Sequence, residues 1–253
     1  DNQPEYRNRI YDRYLTAGSA DIPFARPDEA PGGLLDMLRS VIRKHFPRTK
    51  DAQILDLGCG AGLLVHCATQ TVYTNMSGVD ISPQQVEAAG RLGIEGIRQG
   101  DAMNTLLALE PEFHDAIVSF DVLEHMMRDE LISLIDAVRT ALKLGGRWIF
   151  YTANAEAPIY CRVRYGDLAH EQAFTRTSLP QVLLASDFSR VTCFEDPPIP
   201  KILGGTIRWL MRKLVRLPAL IWLITESGAM AKTRFSCRIC SLLPRNRTAS
   251  CVD

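Results

Sequence analysis

Between residues 50 and 155, short apolar runs alternate with longer stretches in which apolar residues recur every three or four positions. The runs 53–57, 76–80, 94–98, 115–120 and 147–152 have the length and the Ile, Val and Phe content of strands. Residues 61–70, 83–91, 104–109 and 129–142 carry the helical period. The last is the clearest. Leu131, Leu134, Ile135, Val138 and Leu142 share one face, Asp129 stands where an N-cap is needed, and Gly145 stands where a helix stops. Strands alternating with helices of this length build parallel βαβ units, so the fold class is α/β. Such sheets bind ligands outside the carboxyl ends of their strands. Asp56, Asp80, Asp101 and Phe120 all fall at such ends.

The flanks carry other patterns. Residues 5–15 place Tyr and Arg at helical spacing, and Leu34, Leu35, Leu38, Val41 and Ile42 predict an amphipathic helix before the first strand. Residues 154–174 mix aromatic and charged side chains, as a substrate-facing loop does. A helix then starts near Phe174, and Phe188 to Phe194 reads as a sixth strand. In 201–224, Ile207, Leu210, Met211, Leu214 and Leu217 share one helical face, opposite Arg208, Arg212, Lys213 and Arg216. That stretch is too short and too interrupted to span a bilayer. As a basic amphipathic helix with Trp209 and Trp222 it suits a membrane interface; a lid or a dimer surface is the alternative.

Charge sharpens this division. Residues 1–196 hold 19 Lys and Arg against 27 Asp and Glu, a balance of −8; residues 197–253 hold 10 against 2, a balance of +8. Either the C-terminal part meets an anionic partner, or it complements an acidic core of the same chain. Seven cysteines without a regular framework argue against a secreted disulfide scaffold. Cys237 and Cys240 have no second pair at zinc-ligand spacing and read as structural. The polar N-terminus does not resemble a signal peptide, so the expected location is cytoplasmic, with membrane association through 201–224.

The chemistry starts at Ile54-Leu55-Asp56-Leu57-Gly58-Cys59-Gly60-Ala61-Gly62, a strand running into a glycine turn. Glycines here let the backbone approach a ligand, as under dinucleotides and under S-adenosylmethionine (SAM). Asp56 separates the two: a carboxylate repels a pyrophosphate but favours the ammonium and sulfonium of SAM. Leu63 also replaces the third glycine of a dinucleotide fingerprint. An NAD-linked oxidoreductase is thereby disfavoured. No Asn-Pro-Pro-Tyr follows the fourth strand, so nucleic-acid methylation has no motif and no nucleic-acid partner is expected.

Ile54 to Gly62 resembles the first motif of class I SAM-dependent methyltransferases, of the quinone-biosynthesis and polysaccharide-associated O-methyltransferase type. Gly78-Val79-Asp80-Ile81-Ser82, Gln99-Gly100-Asp101-Ala102, the segment Phe113 to His125 with its Asp-Val-Leu-Glu-His ending, and Leu142 to Phe150 resemble the later motifs in order. The resemblance implies a Rossmann-like seven-stranded sheet with helices on both faces, mostly parallel, whose last strand (within Thr233 to Leu243) is antiparallel. It implies one domain over 1–253: a helical cover at 1–50, a SAM-binding core at 51–153, and insertions at 154–174 and 197–232. SAM would be held by Asp56, Gly58, Cys59, Gly60, Asp80, Ile81, Asp101, Ala102 and Phe120, with Tyr11 and Arg13 (and Tyr14 as a further candidate) reaching over from the N-terminal helix.

Methyl transfer needs an aligned acceptor, excluded water and removal of a proton. For a hydroxyl acceptor a histidine suits the last task. His170, between Asp167 and Glu171, is the first choice of base; His125, beside Asp121 and Glu124, is the second, with a supporting role as its alternative. Tyr160, Arg164 and Tyr165 are the expected acceptor contacts. No metal is assigned, and magnesium on Asp121, Glu124 and Asp167 is the alternative. His45, His66 and His114 read as structural. The expected reaction is methylation of a hydroxyl on a small-molecule, quinone-like or glycan- or lipid-linked acceptor. N-methylation of a small molecule and a SAM-binding regulator or scaffold without turnover remain the other readings.

Overall fold

The computed structural model describes residues 5–18, 22–157, 160–194 and 239–244, together with positions 206, 207, 210, 211, 214, 215, 218, 221 and 225 of a helical stretch. Five parallel strands form the body of one sheet: β1 (Ile54–Leu57), β2 (Met76–Asp80), β3 (Ile97–Gln99), β4 (His114–Phe120) and β5 (Leu142–Tyr151). With β6 (Phe188–Phe194) and β7 (Ile239–Pro244) the order is β3-β2-β1-β4-β5-β7-β6, and β7 runs antiparallel to both neighbours. The helices are α1 (Glu5–Tyr11), α2 (Gly32–His45), α3 (Leu63–Gln70), α4 (Pro83–Arg91), α5 (Ala102–Leu107), α6 (Arg128–Ala141), α7 (Tyr160–Arg164) and α8 (Ser178–Ala185).

The two-residue period of the strands sorts their side chains onto two cores. Leu55, Leu57, Ile117, Trp148 and Phe150 face one side, against Leu131, Leu134, Ile135 and Val138 of α6. Ile54, Ala116, Val118 and Ile149 face the other, against Leu38, Val41 and Ile42 of α2 and Leu64, Val65 and Ala68 of α3. Burial on both faces explains why these strands read as continuous apolar runs. The buried Trp148 indole is satisfied by donating to Ser119 Oγ at 2.8 Å.

Three local expectations are corrected. The first turn of α6 is closed by Glu130, which accepts the Met127 N–H at 2.7 Å, rather than by Asp129. Gly145 does not stop that helix, because the chain passes from Ala141 directly into β5. There Gly145 (φ +77°) lies inside the strand, at a shift in register against β4 between His114 and Ala116. The third strand begins at Ile97 rather than 94, since Ile94 packs with Ala88, Ala89 and Leu92 beneath α4 and Gly96 (φ +79°) turns the chain. Cys237 and residues 233–238 of the expected last strand lie outside the described residues, as do the basic residues of 201–224.

Candidate active site

The sheet delivers its first site residue through a backbone approach that only glycine permits. Gly58, just past β1, has φ +70°, and a Cβ there would sit 2.5 Å from Val122 Cγ2. Gly58 and Cys59 donate their N–H groups to Val79 O at 2.8 and 3.0 Å, which binds this turn to β2. Asp80, at the end of β2, accepts from Gly60 N at 2.7 Å and from Ser82 N at 2.9 Å. Burial raises its carboxyl pKa, and those two donors act against the rise. Asp101 caps α5 by accepting from Asn104 N at 2.8 Å. At the end of β4, Asp121 holds φ +52°, a left-handed conformation that concentrates at functional sites.

These strand ends floor a cavity of ≈ 810 Å³, a figure that includes the solvent-filled space of its open mouth. Its roof is α1 and the turn after it, through Arg7, Tyr11 and Tyr14. The turn is tied to α4 where Leu15 and Thr16 donate their N–H groups to Gln84 Oε1, at 2.9 and 3.2 Å, and α1 itself is pinned at two places. Arg7 is 1 % exposed and donates to both carboxylate oxygens of Glu130, at 2.9 and 2.7 Å, while the Tyr6 hydroxyl donates to Glu171. Burial raises the phenol pKa of both Tyr11 and Tyr14, keeping them neutral donors.

One wall carries His125; His170 packs against that ring but does not itself line the cavity. His125 lines the cavity, and its ring lies 6.2 Å from Tyr11 and 4.6 Å from His170, centroid to centroid. The loop after α7 reaches this wall because Glu171 and Gln172 both donate their N–H groups to Glu124 O, at 2.7 and 2.9 Å. Burial, then the neighbouring His170, lowers the His125 pKa to about 4, so it is neutral near pH 7. Glu124 is buried, and its carboxyl pKa is raised by burial and then by Asp121, while Thr152 Oγ1 donates to it at 2.9 Å.

Of the residues expected at the site, Gly58, Gly60, Asp80, Ile81, Asp101, Ala102, Phe120, Tyr11 and His125 line the cavity. Several do not. Asp56 is 2 % exposed beneath the glycine turn; burial and then Asp80 raise its carboxyl pKa. Cys59 turns away and packs over Gly78, where an added Cβ would lie 2.7 Å from its sulfur. Arg13 is exposed after α1. Tyr160 donates to Gln172 O at 3.2 Å and Arg164 to Glu171 O at 3.3 Å, so both brace the His170 loop; Tyr165 is 79 % exposed. Arg7, Ser82 and Gln85 line the cavity without having been expected. Ser82 and Gln85 had a local signal, since Pro83 starts a helix just past a strand end. Arg7 had none, because its burial depends on Glu130, 123 residues away.

Residues 55–150 match the family model described as a methyltransferase domain. This chain carries a class I SAM-dependent methyltransferase domain. It is similar to ubiquinone biosynthesis O-methyltransferases of Xylella fastidiosa (34 % identical over 117 residues, 45 % of this chain and 46 % of that one) and Idiomarina loihiensis (32 % over 117 residues, 45 % and 47 %). The matched residues thus span about half the length of the curated relatives. The methyltransferase fold also resembles a SAM-dependent methyltransferase from Archaeoglobus fulgidus (TM-score 0.62, 16 % identity, 84 % of this chain and 94 % of that one). A phosphoethanolamine N-methyltransferase 2 of Haemonchus contortus in complex with SAM gives TM-score 0.62 at 17 % identity, over 97 % and 61 %. SAM is the cofactor of the methyltransferase family. The cavity fits it: Gly58 opens its floor, Asp80 and Asp101 stand at the strand ends, and Ser82 Oγ and Gln85 Oε1 are buried there without a hydrogen-bond partner.

Proposed function

We propose that this methyltransferase moves the methyl group of SAM onto a hydroxyl of a quinone-like, glycan or lipid-linked acceptor, with His170 as the base. The observation that carries the reading is the hydrogen-bond partner of the His170 ring. Its Nδ1 lies 2.9 Å from Val163 O, which can only accept, so the proton sits on Nδ1 and Nε2 keeps a lone pair. When bound, SAM supplies an activated methyl group; the residues hold, orient and deprotonate. Asp80, Asp101, Ser82 and Gln85 hold the cofactor, with Gly58, Gly60, Ile81, Ala102 and Phe120 shaping its bed. Tyr11 and Tyr14 close the roof and exclude water. The acceptor hydroxyl passes its proton to His170 Nε2 as its oxygen gains the methyl group, and neutral His125 packs edge-on against that ring.

Support for the acceptor class comes from the similarity to ubiquinone O-methyltransferases. The described positions of the 206–225 stretch support a lipid-borne acceptor. Ile207, Leu210, Met211, Leu214, Val215 and Ile221 are all more than half exposed, an apolar stripe suited to a membrane, and the sequence around them supplies Arg208, Arg212, Lys213 and Arg216 for an anionic surface. We take the described elements as one domain, closed by antiparallel β7 in a seven-stranded sheet. The test is a SAM-dependent screen over sugar, quinone and lipid acceptors with mass detection of the added methyl, run beside calorimetry. Asp80→Ala should weaken SAM binding by about 1.5–3 kcal/mol, with its melting temperature measured because Asp80 also ties two turns together. Wild-type protein that binds SAM but methylates no hydroxyl in the screen would sink the O-methyltransferase reading.

A further inference from the structure

We infer that His125, His170 and Asp167 form a binding site for one divalent cation of borderline softness, with zinc as the reference ion. A bound cation takes the lone pair of His170 and so silences methyl transfer, a consequence that rests on the reading of His170 as base. The three residues come from two separated segments, the turn after β4 and the loop after α7. The twin hydrogen bonds onto Glu124 O draw these together. One ligand atom from each residue lies within 4.8 Å of the other two. A tetrahedral zinc ion with bonds of about 2.0–2.2 Å sets its ligands about 3.3 Å apart, so the ion has to draw these atoms together by at most about 1.5 Å.

The surroundings are those of ligands rather than of a chance cluster. His170 is fixed by Val163 O at one ring nitrogen, leaving the other to coordinate, the arrangement that orients metal-bound imidazoles. Asp167 Oδ1 accepts Ala169 N–H at 2.8 Å, which orients the carboxylate and leaves its second oxygen to bind an ion. Independently, His125 is 7 % exposed, and its Nδ1 is buried with no hydrogen-bond partner. A buried imidazole nitrogen left unsatisfied is costly, and a cation removes that cost. Two imidazoles with one carboxylate suit zinc, cobalt or nickel. Magnesium prefers six oxygen donors and is excluded by the same chemistry.

The site is tested on the full chain after chelator treatment. Cobalt is titrated with its visible d–d absorption recorded, and zinc is titrated in competition with a chromogenic chelator. One equivalent should bind. Asp167→Asn and His170→Ala should each lower the affinity at least tenfold, His66→Gln should not, and millimolar magnesium should not displace the ion. Affinity equal to wild type in both site variants would place the ion elsewhere, on thiols for example, and overturn the site. Zinc should also lower wild-type turnover and a chelator restore it; zinc-stimulated turnover would overturn the silencing. The base reading fails separately, if His170→Ala turns over normally with chelator present.

Discussion

Two residues carry sharp consequences on their own. Gly58 combines a left-handed backbone with a β-carbon position already filled by Val122. Gly58→Ala must therefore strain the backbone and push Val122 out of its packing, at a cost of about 2–4 kcal/mol. The expected result is a lower urea midpoint together with loss of SAM binding; a variant of normal stability and affinity would show that the close approach does not matter. His114, at the start of β4, is buried beside Phe113, and its Nδ1 has no partner. Burial lowers its pKa to about 4, with Asp115 raising and Lys143 lowering it further. The unfolded chain thus binds this proton near pH 6.5 and the folded chain only near 4. Stability from the neutral ring is complete above about pH 6.5 and is lost as pH falls toward 4, by about 2 kcal/mol after allowing for solvent screening. Denaturant titrations at pH 7 and 4.5 should show a smaller acid loss in His114→Gln than in wild type. Equal losses would exclude His114 as a source.

At the scale of elements, the helix over the cavity is held by a few specific links rather than by broad apolar packing. Arg7 is the buried residue of α1, and Glu130 answers it from the first turn of α6, where the same carboxylate closes that helix. Removing the guanidinium leaves Glu130 able to rehydrate, being 28 % exposed. The expected damage is local: Arg7→Ala should free α1 at a cost of about 1–3 kcal/mol. Amide exchange should accelerate in 6–11 while β1 and β4 stay protected, and SAM should dissociate faster because Arg7, Tyr11 and Tyr14 form the roof. Unchanged exchange in α1 would mean that other contacts hold it. The existence of α2 and α6 was legible from apolar spacing, and that of α1 from Tyr and Arg at helical spacing, since such spacing depends on the helix itself. Their caps were not: Glu130 rather than Asp129 closes α6, a choice made by local geometry that two adjacent acids leave open.

Across the whole molecule, the opposed charges of the two parts bear on where the protein is held. No helix among the described residues is long and apolar enough to cross a membrane. An amphipathic helix lying in the interface needs no such length. Flotation with anionic vesicles should recover the protein at low salt and release it as salt rises, because the attraction is screened over about 10 Å at 0.1 M. Reversing charge at Arg212 and Lys213 should weaken recovery without changing SAM affinity. Protein that stays with the soluble fraction at low salt would move the stretch to a lid or an oligomer contact.

By itself the sequence determined the strands of the parallel sheet, most helices, the fold class and the floor of the cavity, but not α7, which lies in a stretch that reads as a loop. These rest on short-range rules: apolar period, glycine at a tight turn, and acids at strand ends, whose positions follow once strands alternate with helices. Gly58, Gly60, Asp80, Asp101 and Phe120 could be placed that way, and they line the cavity. Tertiary structure decided what chain-local rules cannot reach. It buried Asp56 under the turn it precedes, since both faces of β1 are covered. It selected Arg7 over Arg13 for the roof, because only Arg7 meets Glu130. It also set His170 against His125 through two hydrogen bonds to Glu124 O, a contact between segments some 45 residues apart that no spacing in either segment encodes.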